Sequence, residues 1–108
     1  MQNIPTLTLE ILSGPLDGTT FTLIGETEWT RAGTGSLSFP WDVELGMPQV
    51  RFKPDAGVWV LTGVQSPHGT YRLNTEERIT TETLRITEGD ILKASDTWLL
   101  VHPAHEQP

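Results

Sequence analysis

The connection from Ser66 to Asn74, SPHGTYRLN, places a hydroxyl, an imidazole and a Gly-Thr pair between two strand-like segments. Those residue types admit two chemistries: nucleophilic attack with His68 as the base for Ser66, or hydrogen-bonded capture of a ligand. For the first, Ser66, His68 and Asp90 would have to form a triad. The surrounding residues make no nucleophile elbow, and Asp90 sits in EGD, a run whose turn chemistry accounts for it. No nucleophile–base pair or paired carboxylates stand at a supporting spacing, so no catalytic residue is assigned and an enzyme is not expected.

Three further groups could carry chemistry. RAGTGS, from Arg31 to Ser36, offers backbone N–H groups and the hydroxyls of Thr34 and Ser36 to an anion, with Arg31 at its head. It lacks the Lys-Ser/Thr ending of a phosphate-binding P-loop, so by itself it is a loop signal. His102 and His105 are three apart, but Pro103 intervenes and no third ligand is near in sequence, so neither a metal nor any other cofactor is expected. There are 4 Trp for 1 Tyr. Trp59 and Trp98 lie in strand-like runs and are expected in the core. Trp29 and Trp41 border loops, where they could stack on a sugar ring. Glu76 and Glu77 read as a solvated turn.

The elements that must hold these groups have a period of two. TLTLEIL alternates Leu7, Leu9 and Ile11 with polar residues, the pattern of a strand with one buried face. Phe21 and Leu23, Leu37 and Phe39, Val50 and Phe52, Val58 to Leu61, Leu84 and Ile86, Ile91 and Leu92, and Trp98 to Val101 continue it. Between them fall SGPLDG, PDAG, SPHG, NTEE and EGD, all rich in turn formers. The best helical candidate, EERITTETLRI, is too β-branched and reads as strands. Many short strands with frequent turns predict an all-β sandwich or barrel. At 108 residues the chain is one domain, with its core over about 7–101 and a polar tail over 102–108.

Composition narrows the partners. Hydrophobic residues make up 36% and charged residues 19%, which suits a packed core. The net charge of -7 disfavours nucleic acid and membrane surfaces, which need a basic field. No run reaches the roughly 20 apolar residues of a membrane span. With no cysteine there is no disulfide, thiolate metal site or cysteine nucleophile, and a cytoplasmic location is expected.

Taken in order, three segments resemble the forkhead-associated (FHA) family, β-sandwiches that bind phosphothreonine peptides. LTLEILSGPLDGTTFTL is similar to the family's first hairpin. VWVLTGVQSPHGTYRLN resembles its Trp-x-Leu strand, Ser-x-Asn-Gly-Thr turn and later Asn. LRITEGDILKASDTWLLV looks like the closing Gly-Asp hairpin and last strand. The resemblance implies a two-sheet sandwich of about eleven strands with ligand loops at one end, and a protein or phosphopeptide partner.

Carried over residue by residue, the family's Gly-Arg pair falls on Thr30 and Arg31, keeping the arginine. Its Ser-Arg-x-His segment falls on GMPQ, so Gly46 stands for the phosphate-binding serine, Met47 for the arginine and Gln49 for the structural histidine. Ser66, Gly69 and Thr70 match, His68 replaces the asparagine that grips the peptide backbone, and Asn74 matches a second asparagine. The resemblance thus implies an interaction module with a degraded phosphothreonine pocket and phosphate-independent or atypical partner recognition, although Thr34, Ser36 or His68 could partly restore the pocket around Arg31. The alternatives are a working phosphothreonine reader with substituted contacts and, more remotely, a sugar-binding sandwich.

Overall fold

A computed structural model describes residues 6–33, 35, 37–64 and 69–102. The alternating segments become eleven strands: β1 (Leu7–Ile11), β2 (Thr20–Leu23), β3 (Thr27–Thr30), β4 (Leu37–Ser38), β5 (Val50–Asp55), β6 (Val58–Gly63), β7 (Thr70–Arg72), β8 (Glu77–Ile79), β9 (Thr83–Arg85), β10 (Ile91–Ala94) and β11 (Thr97–Val101). EERITTETLRI supplies β8 and β9, as its β-branched content predicts. Glu76 takes a left-handed turn position, whereas Glu77 starts β8 and pairs with Arg72, so the acidic pair is half turn and half strand.

Two sheets result, one in the order β2-β1-β11-β10-β7-β8 and the other β4-β3-β5-β6-β9. Only the β3–β4 pair is parallel among the described pairings whose registers follow, the rest being antiparallel. Alternation decides which residues enter the space between the sheets. Leu7, Leu9 and Ile11 of β1, Leu92 and Ala94 of β10 and Leu99 and Val101 of β11 face Phe52, Leu61 and Trp29 from the other sheet's strands within one hydrophobic core. Among the described residues no helix is long and apolar enough to cross a membrane.

The tryptophans are distributed differently from the sequence expectation. Trp29 is completely buried and stacks on Phe52 with ring centroids 6.4 Å apart, so it is a core residue and unavailable to a sugar. Its position in β3, one residue from the loop, hid this: the strand is short and its buried face falls on residue 29. Trp59 is buried as expected, but Trp98 is only half-buried, because in β11 it alternates with Thr97 and Leu99 and so lies on the outer face. Trp41 is exposed on a loop and meets Phe39 edge-on.

The β8–β9 turn is held by a carboxylate. Glu82 accepts from the Thr80 and Thr81 amides at 3.0 and 2.8 Å and from the Thr80 hydroxyl at 2.8 Å. Its carboxyl titrates below the ordinary glutamate value, chiefly through its own backbone amide and then through Thr80 and Thr81.

Two outcomes are expected. Trp29→Ala should lower unfolding free energy in urea by about 3–5 kcal/mol, and Trp98→Ala by distinctly less. The Glu82 carboxylate is favoured by the folded state, so its contribution is complete above the pKa of an unfolded glutamate and disappears as pH falls through its lower folded value. An NMR titration should place the Glu82 midpoint below that of an unfolded peptide, with the Thr80 and Thr81 amides shifting in step.

Candidate ligand-binding site

Three connections meet at one end of the sandwich: β3–β4 after Arg31, β4–β5 over residues 39–49, and β6–β7 leading to Gly69. What joins them is the side chain of Gln49, only 2% exposed at the mouth of β5. Its Oε1 accepts from the Gly46 amide at 2.7 Å. Its Nε2 donates to the Gly69 carbonyl at 3.1 Å and the Thr70 hydroxyl at 3.0 Å. Its backbone continues the role, with the Gln49 amide donating to the Trp29 carbonyl and the Val64 amide donating to the Gln49 carbonyl. One amide therefore fixes the β4–β5 connection against Gly69 and the start of β7.

Arg31 closes the third side. Its amide donates to the Gly46 carbonyl at 3.0 Å and its Nε to the Leu45 carbonyl at 3.1 Å. The two terminal nitrogens have no partner among the described residues, which leaves a planar fork suited to an oxyanion. The start of the β3–β4 connection is shaped locally: the Ala32 amide donates to the Thr30 hydroxyl at 3.0 Å, and the Ser38 hydroxyl bonds the Ala32 carbonyl.

The β4–β5 connection has a second anchor. Asp42, 4% exposed, accepts from the Ser95 hydroxyl at 2.5 Å, the Thr97 hydroxyl at 2.7 Å and the Asp96 amide at 3.2 Å, tying the loop to the β10–β11 hairpin. Between the anchors Val43 and Met47 stand 73% and 60% exposed.

Of the residues singled out by sequence, Arg31, Gly46, Gly69 and Thr70 come together around Gln49, with Met47 beside them. Thr34, Ser36, Ser66 and His68 lie outside the described residues, as does His105. Asn74 is elsewhere: Thr70 pairs with Ile79 and Arg72 with Glu77, so the turn carrying Asn74 projects beyond the other end of β7. There its Nδ2 donates to Asp90 at 2.9 Å and its Oδ1 accepts from the Ile91 amide at 3.1 Å. Asp90 also accepts from the Thr87 amide and hydroxyl, the turn role expected of it. His102 Nε2 lies 2.8 Å from Glu10. Among the described residues no group of three His, Cys, Asp or Glu side chains could hold a metal ion.

Solved structures share this fold. A solution structure of the FHA domain of an Arabidopsis thaliana hypothetical protein superposes with a TM-score of 0.82 at 22% identity, over 96% of this chain and 90% of that one. The chain has the forkhead-associated fold. A structure from an analysis of phosphothreonine-dependent FHA domain interactions matches at a TM-score of 0.73 and 20% identity, covering 95% of this chain and 98% of that one. The kinase-interacting FHA domain of an Arabidopsis kinase-associated protein phosphatase matches at 0.74 and 16%, covering 96% and 98%. No family model and no curated protein matches the chain.

Within that fold two polar residues escaped the sequence reading as organisers. Gln49 registers there only as a substitute for a histidine, and Asp42 not at all. The signal for Asp42 is a carboxylate within an apolar run, FPWDVEL, which needs buried donors if it folds inward.

Gln49→Ala removes three hydrogen bonds worth about 0.5–1.5 kcal/mol each, so a loss of roughly 1.5–4.5 kcal/mol is expected in urea unfolding. Faster hydrogen exchange at the Gly46 amide should accompany it, since that donor would lose the Gln49 Oε1 acceptor.

Proposed function

We propose that the chain is a non-enzymatic protein-interaction module of FHA type. Its loop end takes a segment of a partner protein, and its phosphothreonine contact is reduced to Arg31 among the described residues. The carrying observation is at Gly46. It brings no hydroxyl to the serine position, and its amide is already given to Gln49 Oε1. Nor is there room to spare: a Cβ at Gly46 would lie 3.0 Å from that oxygen and 3.0 Å from the Pro48 carbonyl oxygen. The exposed Met47 adds an apolar side chain where a cation would favour phosphate.

The magnitude matters here. A hydrogen bond to a charged group contributes about 1.5–3 kcal/mol, so its loss weakens binding roughly 10- to 150-fold. A micromolar phosphopeptide site stripped of that contact lies in the range of about 10 μM to 0.2 mM. Phosphate then adds little to whatever the rest of the surface supplies. A second reading, a phosphothreonine reader centred on Arg31, is favoured by the free terminal nitrogens of that residue. A cytoplasmic setting and a protein rather than nucleic-acid partner suit the acidic charge.

Fluorescence anisotropy with a degenerate phosphothreonine peptide library, matched unphosphorylated peptides and Arg31→Ala decides between them. The expected result is less than a tenfold gain from the phosphate. A gain above a hundredfold that Arg31→Ala abolishes would replace the first reading with the second.

A further inference from the structure

Strand pairing sets four residues in one row across the outer face of the six-stranded sheet. Arg78 of β8 is opposite Tyr71 of β7, Tyr71 is opposite Lys93 of β10, and Lys93 is opposite Trp98 of β11. Residues directly opposite in antiparallel pairs share a face, so cation and aromatic alternate along the row. Their inward neighbours Thr70, Ile79, Leu92, Ala94, Thr97 and Leu99 are buried, which fixes this row as the outward one.

The row begins at the candidate site. Gly69 has φ +73, and a Cβ there would lie 3.0 Å from Arg78 Nε and 3.5 Å from Nη2, so the guanidinium lies against Gly69. Among the described residues the Arg78 side chain has no ion pair or hydrogen bond. Lys93 has no acidic partner there either and sits over the Trp98 ring at 5.7 Å. By contrast Arg51 is paired with Glu28, and Arg72 with Glu77 and Asp90. In a chain of net charge -7, these two cations share the outer face with Glu10, whose carboxylate is taken by His102, and they suit a carboxylate from outside.

We infer that this row is the second half of the binding surface, taking an acidic segment of the partner as it leaves the loop end. The inference rests on the proposal that the loop end binds a peptide. Arg78 and Lys93 are two strands apart, about 9–10 Å, and a segment in polyproline II geometry rises about 3.1 Å per residue with three residues per turn, so positions three apart share a face. The segment therefore carries two acidic residues about three positions apart, with Tyr71 and Trp98 offering apolar surface beside them.

The test uses the whole chain and an arrayed set of extended peptides. Each has a central threonine, with or without phosphate, and glutamate or alanine at every flanking position. Expected is a gain of about two- to fivefold for glutamate at each of two positions three apart on one flank, whether or not the centre is phosphorylated. Arg78→Gln should erase the gain at one position and Lys93→Gln at the other. Both side chains lie on the outer face, and an unchanged melting temperature would confirm that the variants fold. No glutamate preference, including no binding at all, would overturn the inference, as would a preference that both substitutions leave intact. Tighter binding of oligothymidylate than of the acidic peptides would also overturn it, marking the row as a stacking platform. Phosphate dependence is read separately in the same array, so a phosphate-driven result would displace the proposed function while leaving the acidic flank preference standing.

Discussion

The loop end of this domain depends on the hydrogen-bonding capacity of one buried amide. Gln49 accepts with its oxygen and donates twice with its nitrogen, meeting the Gly46 amide, the Gly69 carbonyl and the Thr70 hydroxyl at once. A neutral imidazole has one donor and one acceptor and could satisfy only two of those three. An imidazole would also change charge near pH 6.5, whereas the amide does not titrate. A glutamine at this place thus keeps the loops tied together with a tie that is indifferent to pH. Because Gln49, Gly69 and Thr70 are buried, a partner released there would lose its bond without regaining water, while the Gly46 contact is only part-buried.

Asp42 does for the outer part of the β4–β5 connection what Gln49 does for the inner part. A carboxylate taken out of water is tolerated only when its oxygens are fully engaged, and two hydroxyls and an amide from the β10–β11 hairpin do this. An irregular segment pinned by two buried polar side chains has little freedom left. Val43 and Met47 therefore stand on a fixed support, and their exposure to solvent reflects the shape of the loop instead of its fraying. A loop built in this way presents side chains to a partner with little ordering cost on binding.

The strands were legible because alternation reports directly which face is buried, and β1, β5, β10 and β11 follow it without exception. Trp29 was not, since a buried position at the end of a four-residue strand looks the same as a loop edge when only neighbours are read. Trp98 shows the converse: its run is continuously apolar, WLLV, yet parity puts it outside. At the site, the family resemblance grouped Arg31, Gly46, Gly69, Thr70 and Asn74, and the fold brings together all but Asn74. Its separation from Gly69 is set by the length of β7, which places the two at opposite ends of one short strand. Gln49 and Asp42 stayed hidden as organisers for a different reason. Their partners are 20 to 55 residues away, and no local pattern records a hydrogen bond that spans the fold.

Charge has to be read at two distances in such a domain. Far away, an acidic ligand meets the sum, -7, and is repelled. At contact it meets individual groups, because beyond about 8 Å surface charges are screened at physiological salt. Near the loop end those groups include Arg31, Arg78 and Lys93, none with an acidic partner among the described residues. Salt acts oppositely on the two ranges, easing the approach by screening the repulsion while weakening the local pairs once they form. Net charge and local recognition are therefore separable here, and an overall acidic composition is compatible with a surface that selects acidic segments, provided that its cations are gathered on one face and its carboxylates are spent elsewhere.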